Sequence, residues 1–188
     1  MKLNKWAAIC GAAVLFLTVS AASAASLTPT RSASESLEPG LEVIFHFGDF
    51  GSIGGLLTQA ASESPKIGEP IANLDHRGGG GKGVLGLKHR DYVGAIITGY
   101  MLFPKAGTYN LRVRSNDGIR LELGGQLIFE DPRTHADRNS PTLPVVVTEA
   151  GWVPLRTVYF ERKGSWSLQV YWSQGGEFVP IPAANFGH

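Results

Sequence analysis

The clearest hydrophobic pattern in the chain is a strict alternation on both sides of a short polar segment. Apolar residues recur at every second position in two runs, 109–113 and 119–123. A period of two over this length predicts half-buried β-strands. Ser115-Asn116-Asp117-Gly118 lies between the runs, and these residue types favour tight turns through side-chain bonds to their own backbone. The pattern therefore predicts a β-hairpin with a polar cluster at its tip.

The rest of the chain also predicts mainly strands. Six further runs of alternating or continuous apolar residues favour strands at 41–50, 95–103, 126–130, 143–148, 153–161 and 165–173. Gly124-Gly125 predicts a two-residue turn into the strand at 126–130, and a short helix is predicted at 56–61. No longer segment of the sequence has helical periodicity, and the sequence contains no internal repeat. We therefore expect an all-β domain, an antiparallel β-sandwich or β-barrel.

The first 24 residues have the pattern of a signal peptide. Lys2 and Lys5 form a basic start, an apolar run covers 7–19, and Ala22-Ser23-Ala24 is a small-residue cleavage pattern. Cleavage after Ala24 would give a protein that is secreted, periplasmic or part of the cell envelope. The apolar run is shorter than the ~20 residues of a membrane span, so we expect no membrane insertion after cleavage. An uncleaved N-terminal anchor is the alternative.

Composition limits the classes of function that remain. The single cysteine, Cys10, lies in the predicted signal peptide, so a hydrophobic core rather than disulfides must stabilise the rest. Without Lys2 and Lys5, the chain has 15 basic and 16 acidic residues. This balance gives no indication of a basic surface for nucleic acid. The Ser/Thr/Pro-rich segment 25–38 predicts a flexible lead-in. Residues 39–188 are expected to form a single domain, with a monomer as the default.

Several short motifs follow one another in order from residue 39 to the C-terminus. They are Pro39-Gly40-Leu41, the segments 99–104 and 106–109, Ser115-Asn116-Asp117-Gly118-Ile119-Arg120-Leu121, and the segments 154–160, 168–172 and 179–182. In this order they resemble the PA-fourteen (PA14) domain family, the β-barrel module named after protective antigen. Two acids precede the glycine of the family's turn motif, whereas Asn116 stands in the first of these positions here. The stretch 51–94 has no clear counterpart.

The resemblance implies a site at the turn. In the sugar-binding branch of the family, the two acidic residues are joined by a cis peptide and coordinate Ca²⁺, which holds sugar hydroxyls. Carried over, Asn116 supplies an amide oxygen and Asp117 a carboxylate, and a distant loop completes the shell with donors available at Asp131, Asp137 and Asn139. The alternative is that Asn116 and Asp117 only stabilise a tight turn. A cis bond surrounded by loop oxygens favours the metal site, and a trans bond favours the turn.

Other candidate chemistry is sparse. Trp152 follows a glycine at a strand start and is the one aromatic candidate for stacking on a sugar ring, whereas Trp166 and Trp172 share an apolar strand face and predict core packing. The sequence contains no GxSxG or HExxH motif, and the predicted mature chain has no thiol nucleophile. We therefore expect a protein that is not an enzyme. The predicted ligand-binding residues are Asn116, Asp117 and Trp152.

The sequence leaves two functions from different classes open. The first is a non-catalytic module that recognises glycans at the cell envelope or outside the cell, with Ca²⁺ as its cofactor or with none. The second is a structural or protein–protein interaction module of an envelope or surface assembly, with neither a metal nor a sugar site. The predicted partner is accordingly a glycan or an envelope protein.

Overall fold

The structure is a computed structural model that describes residues 24–79 and 81–188. The predicted signal peptide, apart from its last residue, lies outside the described residues. In the part of the chain that is described, no helix is long and apolar enough to cross a membrane.

The described residues form fifteen strands, one α-helix and two short 3-10 helices. The helix α1 is Ile53–Ala60, and the 3-10 helices are Val84–Gly86 and Ala183–Asn185. The strands are, in chain order, β1 Ala25–Leu27, β2 Arg31–Ser32, β3 Glu42–Phe47, β4 Lys66–Ile67, β5 Asp75–Gly78, β6 Val93–Phe103, β7 Gly107–Asn116, β8 Ile119–Leu123, β9 Gln126–Asp131, β10 Arg138–Asn139, β11 Leu143–Val147, β12 Gly151–Glu161, β13 Trp166–Ser173, β14 Val179–Pro180 and β15 Phe186–Gly187.

The strands assemble into two sheets. The seven-stranded sheet has the order β1-β11-β7-β13-β14, with β10 beside β7 and β5 beside β13. The eight-stranded sheet has the order β4-β3-β6-β12-β8-β9, with β15 beside β6 and β2 beside β12. Strand β1 runs parallel to β11, and the other strand pairs are antiparallel. The predicted all-β class is confirmed, and within the described residues the sheets form a sandwich rather than a closed barrel.

The hydrophobic core lies between the sheets, as the alternation predicts. The apolar side chains of both predicted runs face this core and are at most 1% exposed, namely Tyr109, Leu111, Val113, Ile119, Leu121 and Leu123. Burying a side chain of this size contributes about 1.5–3 kcal/mol. A second, smaller cluster covers the outer face of β12, where Ile53 and Leu56 of α1 pack against Val158 and Phe160.

The predicted hairpin at 107–123 is wrong in its pairing. Strand β7 belongs to the seven-stranded sheet and β8 to the eight-stranded sheet, so the polar segment between them is a corner that crosses the core. Alternation shows which side chains are buried but not which strand each run pairs with, since both strands can bury the same face against one core. The turn predicted at Gly124-Gly125 is confirmed. Both glycines have positive φ, 58° and 75°, and they join β8 to β9.

The segment 25–38, predicted to be a flexible lead-in, is part of the sandwich. Strand β1 pairs with β11 and β2 with β12, and Leu27 is fully buried in the core. The indole Nε1 of Trp152 donates a hydrogen bond of 3.0 Å to the carbonyl oxygen of Glu35. Strands of two and three residues are too short to leave an alternation signal, so the Ser/Thr/Pro-rich composition dominates the prediction.

Replacement of Leu27 by alanine tests whether this segment contributes to stability. The change removes a fully buried side chain from the core, so we expect the free energy of unfolding to fall by about 2–5 kcal/mol. Denaturant unfolding of the domain measures this loss. The matched control is Ser26→Ala, since Ser26 is exposed on the same strand; equal stability of both variants and the wild type would contradict the prediction.

Candidate functional site

The Asn116–Asp117 corner is polar and buried. Asn116 is 9% exposed and Asp117 is 3% exposed, and the peptide bond between them is cis. Gly118 follows, and a Cβ there would lie 2.3 Å from the ring of Phe160, so only glycine fits at this approach. The corner also pairs with the end of β12, because the N–H of Asp117 donates to the carbonyl oxygen of Phe160 at 3.2 Å.

The carboxylate of Asp117 joins two other segments to the corner. Its Oδ1 accepts the backbone N–H of His135 at 3.0 Å, and its Oδ2 accepts the backbone N–H of Arg162 at 2.8 Å. His135 lies in the loop between β9 and β10, and Arg162 directly follows β12. Hydrogen bonds to a charged acceptor are worth about 1.5–3 kcal/mol each. Asp117 therefore holds the corner, the loop and the end of β12 together, and both its oxygens are already engaged.

The Asn116 side chain is also engaged within the protein. Its Nδ2 donates to the backbone carbonyl oxygen of Ser165 at 2.6 Å and lies 3.2 Å from the Ser165 hydroxyl. Its backbone carbonyl accepts a hydrogen bond of 2.6 Å from the hydroxyl of Tyr159. Burial raises the pKa of Tyr159 well above its ordinary value, so this hydroxyl stays a donor. The corner is thus fixed from the core side as well as from the surface.

Two arginines pair with Asp131, which ends β9, and with Asp137 in the loop that follows. Arg138 donates from Nε and Nη2 to the two carboxylate oxygens of Asp131, both at 2.7 Å. Arg114 donates from Nε to both oxygens of Asp137 at 2.9 Å and makes a further contact through Nη2, and Ser167 adds a hydrogen bond of 2.7 Å. The guanidinium of Arg114 lowers the pKa of Asp137. Both carboxylates are therefore neutralised by bidentate partners.

The remaining residues of the loop differ in exposure. Asn139 is exposed in β10, where it pairs with Arg114 of β7. The His135 side chain is only 5% exposed, and its Nε2 lies 3.2 Å from Oδ2 of Asp131. The amide of Asn139 and the guanidinium of Arg138 are thus exposed to solvent, whereas the ring of His135 is buried.

Four of the five predicted calcium ligands, namely Asn116, Asp117, Asp131 and Asp137, make hydrogen bonds within the protein, and Ca²⁺ binding by them stays a prediction. Ca²⁺ takes six to eight oxygen ligands, whereas each carboxylate oxygen of Asp117 accepts a backbone N–H group and the amide nitrogen of Asn116 donates to Ser165. Asp131 and Asp137 are paired with arginines, which leaves Asn139 as the one predicted donor on the open surface. In the part of the chain that the structure describes, no three His, Cys, Asp or Glu side chains are placed to hold one metal ion.

Trp152 is not the exposed aromatic platform that its position after a glycine suggests. It is 6% exposed, because β2 and the segment that follows cover it. It lines a cleft of about 530 Å³ together with Leu37, Pro39, Pro70 and Phe186. This cleft is mainly apolar. It is separate from the corner, whose residues do not line it.

Glu161 is a buried acid that sequence reasoning missed. It is fully buried at the end of β12, and neither carboxylate oxygen has a hydrogen-bond partner among the described residues. Burial, and secondarily the charges of Asp91 and Asp117, raises its pKa to about 8. One sequence signal was present, since Glu161 continues the alternation of Leu155 and Tyr159, whose side chains face the core.

Comparison with known proteins places these features in a family. A family model of the PA14 domain matches residues 85–178, which is half of the chain. No curated protein sequence matches the chain. The matched region includes the corner, the arginine-paired loop and strands β6 to β13.

Three solved structures share the fold at low sequence identity. The PA14 domain of the MpAFP antifreeze protein has a TM-score of 0.68 and 18% identity, over 81% of this chain and 92% of that one. The PA14 sugar-binding domain from an RTX adhesin has a TM-score of 0.63 and 20% identity, over 80% of this chain and 99% of that one. The A domain of Epithelial Adhesin 9 from Candida glabrata, in complex with Galβ1-3GlcNAc, has a TM-score of 0.65 and 12% identity, over 88% and 95%.

Replacement of Glu161 by glutamine is predicted to change the pH dependence of stability. The folded pKa of about 8 lies above the ordinary value of 4.5, so the native state binds this proton more tightly than the unfolded state. The contribution is fully present below pH 4.5 and is lost as pH rises to about 8. We expect Glu161→Gln to remove this loss, a gain on the order of 3 kcal/mol at neutral pH.

Denaturant unfolding across this pH range measures the effect. Glu177→Gln is the control, because Glu177 is exposed and its replacement should leave the wild-type profile unchanged. The same slope of stability against pH in Glu161→Gln and in the wild type would contradict the prediction.

Proposed function

Because the chain belongs to the PA14 domain family, we propose that it is a non-catalytic module that recognises carbohydrate. The observation that carries this proposal is the fold shared with a sugar-binding PA14 domain over nearly all of that domain. A second similar structure contains a bound disaccharide.

We place glycan binding on the exposed face of the loop that the corner supports. Arg138 and Asn139 are exposed there, beside the half-exposed pair of Arg114 and Asp137. Sugar hydroxyls both donate and accept hydrogen bonds, and amide, guanidinium and carboxylate groups offer complementary partners. The ion pairs and the Asp117 hydrogen bonds fix these groups before a ligand arrives, which reduces the ordering cost of binding. Asn116 and Asp117 thus orient the site rather than touch the sugar.

The proposal extends to where the protein acts. The signal-peptide pattern at residues 1–24 favours export, so the glycan would be met in the cell envelope or outside the cell. No nucleic-acid partner is proposed, because the predicted mature chain lacks an excess of basic residues.

A structural or protein–protein interaction module is the second candidate. The observation in its favour is that the three predicted ligand residues, Asn116, Asp117 and Trp152, are all buried and hydrogen-bonded within the protein. In this case the sandwich presents its loops to another protein of a surface assembly. A pull-down from an envelope fraction with the immobilised domain tests it, and recovery of no partner would count against it.

A glycan array with the purified domain, followed by calorimetric titration of the best ligand, tests carbohydrate recognition. We expect Asn139→Ala to weaken binding about tenfold without a change in melting temperature, since the lost hydrogen bond is worth ~1.4 kcal/mol. Asn110→Ala is the matched control, because Asn110 lies on β7 but far from the corner end of that strand. If no glycan on the array binds the wild type, carbohydrate recognition is ruled out for the sugars tested and the interaction module becomes the better explanation.

Replacement of Asp117 by alanine separates the two candidate functions. Either way we expect a loss of about 3 kcal/mol in stability, because the N–H groups of His135 and Arg162 lose their acceptor. Under the carbohydrate proposal, the folded variant also loses affinity for the glycan, since the loop is no longer held. Unchanged affinity of the folded variant would show that the corner contributes only stability.

A further inference from the structure

Two acidic residues lie at the loop between β9 and β11, Asp131 at the end of β9 and Asp137 within the loop, and a guanidinium group pairs with each of them. We infer that Arg114 and Arg138 take the place of a divalent cation in this domain. They neutralise and orient the carboxylates of Asp137 and Asp131, so the loop reaches its binding shape without Ca²⁺. This inference rests on the proposed function only where it concerns binding, because the shape of the loop can be measured on its own.

The Arg114–Asp137 pair anchors the far end of the loop to the seven-stranded sheet. Arg114 projects from β7, and its guanidinium engages both oxygens of Asp137. The Ser167 hydroxyl of β13 donates to the same carboxylate at 2.7 Å. Donors from two neighbouring strands thus converge on Asp137. A metal ion would have to displace Arg114 before it could use this carboxylate.

The Arg138–Asp131 pair closes the loop on itself. Asp131 ends β9 and Arg138 begins β10, so their bidentate contact at 2.7 Å brings the two stems of the loop together. Asp131 also lies 3.2 Å from the His135 ring. Its side chain is 16% exposed, so this carboxylate is directed into the loop rather than towards solvent.

The carboxylates of Asp117, Asp131 and Asp137 all have hydrogen-bond partners within the protein. Asp131 and Asp137 each have one arginine, and the two oxygens of Asp117 accept the backbone N–H groups of His135 and Arg162. Ca²⁺ is held by six to eight oxygen ligands, and carboxylates supply much of their negative charge. Bidentate arginine pairs satisfy the same oxygens and fix the plane of each carboxylate, which an ammonium group cannot do.

Hydrogen exchange of the loop amides, with and without Ca²⁺, tests the inference. The reporters are the amides of His135, bound to Asp117, and of Ser140, which donates to the carbonyl oxygen of Val113 at 2.7 Å. The variant is Arg114→Met, which keeps the length of the side chain and removes the charge. The matched control is Arg120→Met, since Arg120 pairs with Glu130 at 2.8 Å with similar exposure but lies outside the loop.

We expect the wild type to have the same exchange rates in millimolar Ca²⁺ and in EDTA. We expect its melting temperature to be the same under both conditions as well. Arg114→Met should speed exchange of the two reporter amides about fivefold, whereas Arg120→Met should leave them unchanged. Slower exchange or a higher melting temperature of the wild type in Ca²⁺ would overturn the inference. Unchanged exchange in Arg114→Met would overturn it as well.

Titration of a glycan found on the array, in Ca²⁺ and in EDTA, completes the test. Equal affinity under both conditions supports the inference. Binding that needs Ca²⁺ overturns it and leaves carbohydrate recognition standing. If no glycan binds, the proposed function fails, and the exchange experiment still decides the role of Arg114.

Discussion

The carboxylate of Asp117 is the interaction on which the arrangement at this end of the sandwich depends. The chain crosses from one sheet to the other at the Asn116–Asp117 corner, and the two carboxylate oxygens bind backbone N–H groups from two other segments. A buried charge is stable only when such donors satisfy it. The loop between β9 and β10 and the end of β12 are therefore placed by the same group that closes the corner.

The core behind the corner is more polar than the rest of the interior. Tyr159 and Glu161 project from alternate positions of β12, and Tyr159 donates to the backbone of the corner whereas Glu161 has no hydrogen-bond partner among the described residues. Glu161 thus lies in the same buried region as Asp117, and burial together with the charges of Asp91 and Asp117 disfavours the charged form of Glu161. Both oxygens of Asp117 accept hydrogen bonds, whereas Glu161 stays protonated up to about pH 8. One carboxylate supports the fold, and the other makes it sensitive to pH.

Much of the fold follows from the sequence, because alternation reports burial directly. The faces of β7, β8, β12 and β13, the turn at Gly124-Gly125 and the all-β class are all visible in the printed sequence. The corner resembles a hairpin in sequence because alternation contains no information on pairing. Strands β1 and β2 leave no signal because two or three residues form no period.

The site is harder to predict than the fold for a different reason. The turn motif draws attention to Asn116 and Asp117, and in the sequence alone the acids of the loop have the pattern of free oxygen donors. Their partners are Arg114, 23 residues from Asp137, and Arg138, seven residues from Asp131. Nothing in a single sequence pairs a given arginine with a given acid across a loop. The burial of Trp152 likewise depends on a lead-in segment whose strands the composition conceals.

The two groups that hold Asp117 belong to the backbone, and this has a consequence for how the domain can change. Any residue except proline provides an N–H at positions 135 and 162. These two hydrogen bonds therefore require a particular side chain only at Asp117, and the side chains at 135 and 162 can change. A loop of another sequence can therefore be grafted between β9 and β11, provided that one of its amides meets Oδ1 of Asp117. The same corner can in this way display many different loops, and new specificities can arise without rebuilding the sandwich beneath them.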